Sequence, residues 1–228
     1  MIRFNRKLDS IDKIHLFISV IIILSLVFAI IVSILNANWY VLFISISAFF
    51  LALSPTLFEW KYKIDIPEEL EIAIAIFVYA SLFLGEVQGY YTKFWWWDAV
   101  LHTASGIALG FIGFIILFVL YKGNKIAAKP FLLVMFSFCF SVALGTLWEI
   151  FEFSMDIWLG TNLQKSGLVD TMSDLIVNSI SALFASVVGY IYLKGRKTHI
   201  MEYAIERFVR NNPELFNPSA RNPWLSSQ

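Results

Sequence analysis

Six stretches of this chain are apolar for long enough to cross a lipid bilayer, and this limits the fold before any other feature does. At 1.5 Å rise per residue, a helix needs about 20 predominantly apolar residues to span the hydrocarbon core. The runs at 14–35, 39–58, 69–89, 97–121, 131–158 and 170–193 meet that length. In lipid every backbone polar group must be satisfied within the segment, so such runs are helices. Composition agrees: of 228 residues 59% are hydrophobic and 15% charged, with a mean hydropathy of +0.73. A soluble domain carries more charge. The expected architecture is all-α, a polytopic six-transmembrane-helix bundle forming one domain over 1–198. A short amphipathic helix and loosely ordered tail follow over 199–228, with Ile200, Tyr203, Ala204 and Phe208 on the apolar face.

Local signals divide the runs. Asn36-Ala37-Asn38 leaves room only for a tight turn, Pro55 predicts a kink near the end of the second helix, and Pro67 marks the start of the third. The basic start Arg3, Arg6, Lys7 and Lys13 precedes an apolar run longer than a signal-peptide core, with no small-x-small site after it, so a retained signal anchor is expected. Cys139 is the single cysteine, which excludes an intramolecular disulfide.

Orientation follows from Lys and Arg. Four lie in the amino-terminal arm, two at Lys61 and Lys63, three at Lys122, Lys125 and Lys129, and six from Lys194 to Arg221; the alternate loops hold only Lys93 and Lys165. By the positive-inside rule both termini are cytoplasmic, in the plasma (inner) membrane of a prokaryote. The charges are segregated by side rather than gathered on a basic face, so no nucleic-acid partner is implied; membrane lipid is the expected surrounding. Trp95-Trp96-Trp97, Tyr90, Tyr91 and Trp158 form an aromatic belt at the outer interface.

Against this apolar background the ionisable residues stand out. Glu86, Asp98, His102, Glu149, Glu152, Asp156, Asp170 and Asp174 all fall toward the outer ends of their helices once the directions alternate. Asp98 and His102 are four apart, Glu149, Glu152 and Asp156 lie at i, i+3 and i+7, and Asp170, Asp174 and Asn178 at i, i+4 and i+8. Residues at these intervals share a helix face. Three polar stripes are most cheaply buried facing one another, and no Arg or Lys inside any span is available to neutralise them.

Six carboxylates and an imidazole cannot all remain charged in such a place without cations or protons. Hard divalent ions take oxygen ligands, and an imidazole extends the choice to transition metals, so a divalent metal ion (Mg, Mn, Fe or Zn) is expected. The candidate ligands are His102, Glu149, Glu152, Asp156, Asp170 and Asp174, with Asp98 and Glu152 as candidate catalytic acid–base groups. A structural zinc site lacks its cysteines, and a ferritin-type di-iron site lacks its paired Glu-x2-His motifs. A Ser105-His102-Asp98 triad has no nucleophile elbow. Taken singly, Glu86, Asp98, Asp156 and Asp170 also read as wetted interfacial groups, with Asp170 as a helix N-cap, and His15 as solvated or interfacial. Gly106-x3-Gly110 and Gly113 read as surfaces for close helix packing.

The segments Trp97-Asp98-Ala99-Val100-Leu101-His102-Thr103-Ala104-Ser105-Gly106, Gly145-Thr146-Leu147-Trp148-Glu149-Ile150-Phe151-Glu152 and Asp170-Thr171-Met172-Ser173-Asp174-Leu175 resemble the YjdF-like family of uncharacterised prokaryotic inner-membrane proteins, with a more distant similarity to VanZ-like membrane proteins. The resemblance covers mainly residues 80–193. It implies a helical membrane fold and transfers no activity. From the residues themselves the leading expectation is a metal-dependent, hydrolase-like enzyme acting on a lipid or lipid-linked substrate from the outer leaflet. The alternatives are a cation or proton-coupled transporter, for which a polar trail through the cytoplasmic half is wanting, and a non-catalytic membrane binding subunit.

Overall fold

The computed structural model describes residues 10–122, 126–195 and 206–212. No strand occurs among the described residues, and the secondary structure is helical throughout. Among the described residues five helices are long and apolar enough to cross a membrane, Lys13–Leu35, Glu68–Val87, Trp97–Tyr121, Pro130–Leu159 and Leu168–Leu193, and a bent pair raises the number to six if it is one span. The chain is thus an all-α membrane protein. It divides into two compact units, Met1–Trp97 and Asp98–Gln228.

In the first unit, α1 (Ser10–Leu35) ends in the expected tight turn. Ala37 takes a left-handed conformation with φ of 50°, and the Asn38 side chain accepts the backbone N–H of Val41, capping α2 (Trp39–Ala52). At Leu53 the run breaks, and α3 (Ser54–Tyr62) leaves at 42°. Pro55 is the cause: it has no N–H to give and its ring excludes the preceding helical path, while the Ser54 hydroxyl takes up the carbonyl of Leu51 at 2.7 Å. The Glu59 carboxylate then folds the following loop back by accepting the Ile66 N–H at 2.6 Å.

The next span starts after Pro67 as α4 (Glu68–Val78), whose first turn carries Glu68, Glu69 and Glu71 where the helix dipole favours negative charge. It continues as a π-helical segment, Tyr79–Val87, closed by an i→i−5 bond from Gln88 N–H to the Phe83 carbonyl. Gly89 (φ of 71°) turns the chain into the short α5 (Tyr90–Lys93). Ile22, Leu26, Ala48, Ala75 and Val78 form the buried apolar centre of this unit. The Tyr40 hydroxyl donates to Glu86 at 2.8 Å.

The second unit is built on α6 (Trp97–Lys122), α7 (Pro130–Leu159) and α8 (Leu168–Leu193). Small residues on each helix set the spacing. The Ser137 hydroxyl donates to the Gly110 carbonyl at 2.7 Å and the Ser141 hydroxyl to the Gly106 carbonyl at 2.9 Å, which ties α7 antiparallel to α6. Asn178 donates to the Ser141 carbonyl, and the Ser186 hydroxyl meets that of Ser137, so α8 is antiparallel to α7 in turn. A Cβ on Gly110 would lie 2.7 Å from the Cβ of Ala185, and one on Gly113 2.9 Å from the Phe140 ring. These glycines therefore serve close approach, as their spacing suggested. Beyond the serines, Phe114, Phe118 and Leu133 close the bundle with a buried apolar layer.

Of the expected carboxy-terminal amphipathic helix, residues 206–211 are helical, and the rest lies outside the described residues.

Candidate metal centre

Because α6 and α8 run one way and α7 the other, the start of α6, the start of α8 and the end of α7 share one end of this three-helix unit. The three polar stripes meet there. His102, second turn of α6, is the hub: its Nε2 lies 3.5 Å from Asp98 Oδ1, 3.8 Å from Glu149 Oε1 and 3.9 Å from Asp174 Oδ2. Asp98, His102 and Asp174 each offer a ligand atom within 4.8 Å of the others. Three of the four groups are deeply buried, with relative exposures of 4% at Glu149, 5% at Asp174 and 8% at His102; Asp98 is half-buried nearer the helix end.

Glu149 is the unusual member. Neither of its carboxylate oxygens, both buried, has a hydrogen-bond partner. Thr171 stands beside it, and the Thr171 hydroxyl, which accepts from the side-chain amide of Gln164, keeps its own O–H on that side. A buried acceptor left without a donor costs on the order of 1–3 kcal/mol, more if charged. Around an ion with bonds of about 2.0–2.2 Å, neighbouring ligand atoms stand about 3.0–3.5 Å apart. The separations from His102, 3.5–3.9 Å, are somewhat longer than that, and Glu149 stands outside the group of three whose ligand atoms lie within 4.8 Å of one another. The donor set of one imidazole and three carboxylates fits a divalent transition metal or manganese.

The remaining expected site residues are placed differently. Glu152, half-buried one turn nearer the end of α7, accepts the Trp148 indole N–H at 2.9 Å and lies within electrostatic reach of Glu149, Asp98 and Asp174. Asp170 sits in the first turn of α8, one turn above Asp174; the N-cap is Gly167, so the capping alternative for Asp170 does not hold. Asp156, in the last turn of α7, serves the connecting loop. Its Oδ1 accepts the Thr161 hydroxyl at 2.6 Å and the Leu163 N–H at 2.7 Å, and its Oδ2 the Gln164 N–H at 2.9 Å. With Gly160 left-handed at φ of 64°, these bonds turn the chain from α7 toward α8. Ser105 donates to its own helix at the His102 carbonyl, which removes it from any triad. Glu86 lies in the first unit, bonded to Tyr40.

Two polar residues outside the carboxylate cluster are also enclosed. Asn178, one turn deeper than Asp174, is 2% exposed, and its Oδ1 is buried without a hydrogen bond. In the first unit His15 is only partly exposed and pairs across helices with Glu71, Nε2 to Oε2 at 3.6 Å, so of the solvated and interfacial alternatives the solvated one does not hold. The signal for both is position: each continues the buried face of its helix, His15 with Ile18 and Ile22, Asn178 with Asp174 and Ser181.

Comparison with known proteins gives a family. A family model described as "Predicted membrane protein (DUF2238)" matches residues 14–195. A relative from Thermotoga maritima, bearing the name "Uncharacterized protein", is 28% identical over 143 residues, 63% of this chain and 73% of the relative. No solved structure matches. The match extends over all the spans and includes the three motif segments, in keeping with the resemblance to a family of membrane proteins.

Proposed function

The chain belongs to the DUF2238 family of membrane proteins, and we propose that its second unit is a divalent-metal centre of an enzyme acting on a lipid or lipid-linked substrate. The observation that carries this is the convergence of Asp98, Glu149 and Asp174 on one imidazole nitrogen, with Glu149 buried and lacking any hydrogen bond. With a neutral imidazole these groups bring three negative charges into a low-dielectric site, and with a protonated one, two. A divalent ion offsets that charge and supplies the partner Glu149 lacks. His102, Asp98, Glu149 and Asp174 would hold the ion. Bound there, it would act as a Lewis acid and lower the pKa of a coordinated water.

The chain's own residues have distinct tasks. Glu152, outside the ligand group but one turn from Glu149, is positioned to take a proton at its carboxylate from a nucleophilic water. The Trp148 indole fixes that carboxylate. Asp170 adds negative charge at the mouth. Around this end Trp148, Phe151, Trp158, Leu168 and Val169 are exposed apolar surface suited to acyl chains. The excess of Lys and Arg on the opposite loops supports an outward-facing end in a prokaryotic plasma membrane, with both termini cytoplasmic. A transport pathway would need polar groups through the bundle. The hydroxyls of Ser141, Ser137 and Ser186 are instead closed on helix carbonyls, and Phe114, Phe118 and Leu133 follow them.

The test is incubation of purified protein with a total lipid extract of prokaryotic membranes, with product formation followed by mass spectrometry. Turnover abolished by EDTA, restored by a divalent ion, and reduced on the order of 10²–10⁴-fold in Glu152→Gln with its metal retained is the expected result. Turnover insensitive to EDTA, or a fully active Glu152→Gln, contradicts it.

A further inference from the structure

Glu149 has two carboxylate oxygens, and they face different needs. Oε1 is the one directed to the imidazole of His102, at 3.8 Å. Oε2 is buried as well, and neither has a hydrogen bond. An ion taken by Oε1 leaves Oε2 a buried acceptor that still requires a donor from the protein. Carboxylates that ligate metals are ordinarily held in this way by a neighbouring donor, which fixes the direction of the ligating oxygen.

Thr171 is the side chain in place to supply that donor. It stands beside Glu149, in the first turn of α8, three residues before Asp174 and so on the same helix face. A threonine hydroxyl has one hydrogen to give and two lone pairs to accept with. In the other spans of this unit the hydrogen goes to the carbonyl four residues back, from Thr103 to Ala99 at 2.7 Å and from Thr146 to Val142 at 2.8 Å. Thr171 departs from that pattern. Among the described residues its hydroxyl accepts from the side-chain amide of Gln164 and is not bonded back to its own helix. Gln164 is itself fixed at the start of α8, its carbonyl accepting the Gly167 N–H at 3.1 Å. The amide thus occupies one side of the Thr171 oxygen and leaves the O–H for the side where Glu149 lies.

On the metal reading above, we infer that Thr171 is the positioning residue of this centre: with its oxygen held by Gln164, its O–H takes Oε2 of Glu149 and keeps Oε1 turned toward the ion beside His102. The loop between α7 and α8 then governs how firmly a ligand on α7 binds, without touching the ion. A hydrogen bond to an ionised carboxylate is also among the stronger kinds, so its loss is felt at the ligand.

Titration of the EDTA-stripped, detergent-purified full chain with Mn²⁺, read by manganese electron paramagnetic resonance, tests this. Thr171→Val keeps the shape and removes the hydroxyl, and is expected to weaken Mn²⁺ on the order of 10–100-fold, the scale of losing a supporting group at a metal site. Thr171→Ser restores the O–H and should return the affinity to within about threefold of wild type. Gln164→Leu frees the hydroxyl to turn back to the Gly167 carbonyl, as those of Thr103 and Thr146 do to theirs, and should weaken Mn²⁺ by about threefold to tenfold. Thr146→Val removes a hydroxyl close to Glu149 in sequence but bonded to its own helix, and should leave Mn²⁺ affinity unchanged. Wild-type affinity in Thr171→Val, a serine variant as weak as the valine one, or an equal loss in Thr146→Val overturns the role of Thr171 alone. Should the valine variant not fold, unchanged affinity in Gln164→Leu overturns it. A wild-type chain that binds no Mn²⁺ overturns the metal reading itself.

Discussion

At Glu149 the protein places a carboxylate that is 4% exposed, with the His102 imidazole 3.8 Å away and no hydrogen bond that closes it off. Such a group is tolerated when something else in the functioning molecule satisfies it. In the metal-free protein it is a liability, and Glu149→Gln should raise the thermal midpoint measured in EDTA by a few degrees, consistent with relief of about 1–2 kcal/mol. With metal present the sign should reverse, because the wild type gains binding energy that the variant cannot. A midpoint that falls equally in both conditions contradicts this account of Glu149. Spacing already places His102, Glu149 and Asp174 at one end of the bundle, since alternating helices bring the end of α7 beside the starts of α6 and α8. It does not separate Asp156 from Glu149 and Glu152, which share its helix face. That distinction comes from the turn at Gly160, which directs three donors of residues 161–164 onto Asp156. Asp156→Ala should therefore lower the thermal midpoint by an amount equivalent to about 1–2 kcal/mol and leave metal content unchanged; loss of metal would return Asp156 to the ligand set.

Among the helices, the second unit depends on close approach. Gly106 and Gly110 of α6, Ser137, Ser141 and Gly145 of α7, and Asn178, Ala182, Ala185 and Ser186 of α8 let backbones meet and leave hydroxyls to bond the facing carbonyls. Gly145→Ala directs a methyl group into the amide of Asn178 and is expected to destabilise the protein by about 1–3 kcal/mol in thermal unfolding and to weaken metal binding with it. The same change at Gly160 meets open space and should cost only the left-handed backbone, about 1 kcal/mol, with binding intact. Equal effects at the two positions would contradict the slot around Asn178. The small-residue spacing was legible in Gly106-x3-Gly110. The partners were not, because which hydroxyl meets which carbonyl depends on how the helices cross. The π-helical segment Tyr79–Val87 likewise has no mark in its composition, whereas the bend at Leu53 follows directly from Pro55.

For the molecule as a whole, the spans were the most legible feature, since a run of about 20 apolar residues has few other fates. The division at Trp97 into two compact units was not, because contiguous apolar helices carry no signal of which neighbours they prefer. Orientation belongs to this scale. In a Cys139→Ser background, a cysteine at Asn162, in the loop after α7, should react with a membrane-impermeant thiol reagent applied to intact cells. One at Lys61 should react only after lysis. The reverse pattern would invert the topology and turn the site toward the cytoplasm. The most direct trial of the central claim is the metal content of the purified chain by elemental mass spectrometry, beside His102→Ala and Glu149→Gln. The wild type is expected to carry about one divalent ion per chain and each variant a small fraction of that; a metal-free wild type that takes up none on reloading, or variants that keep the full complement, would contradict it.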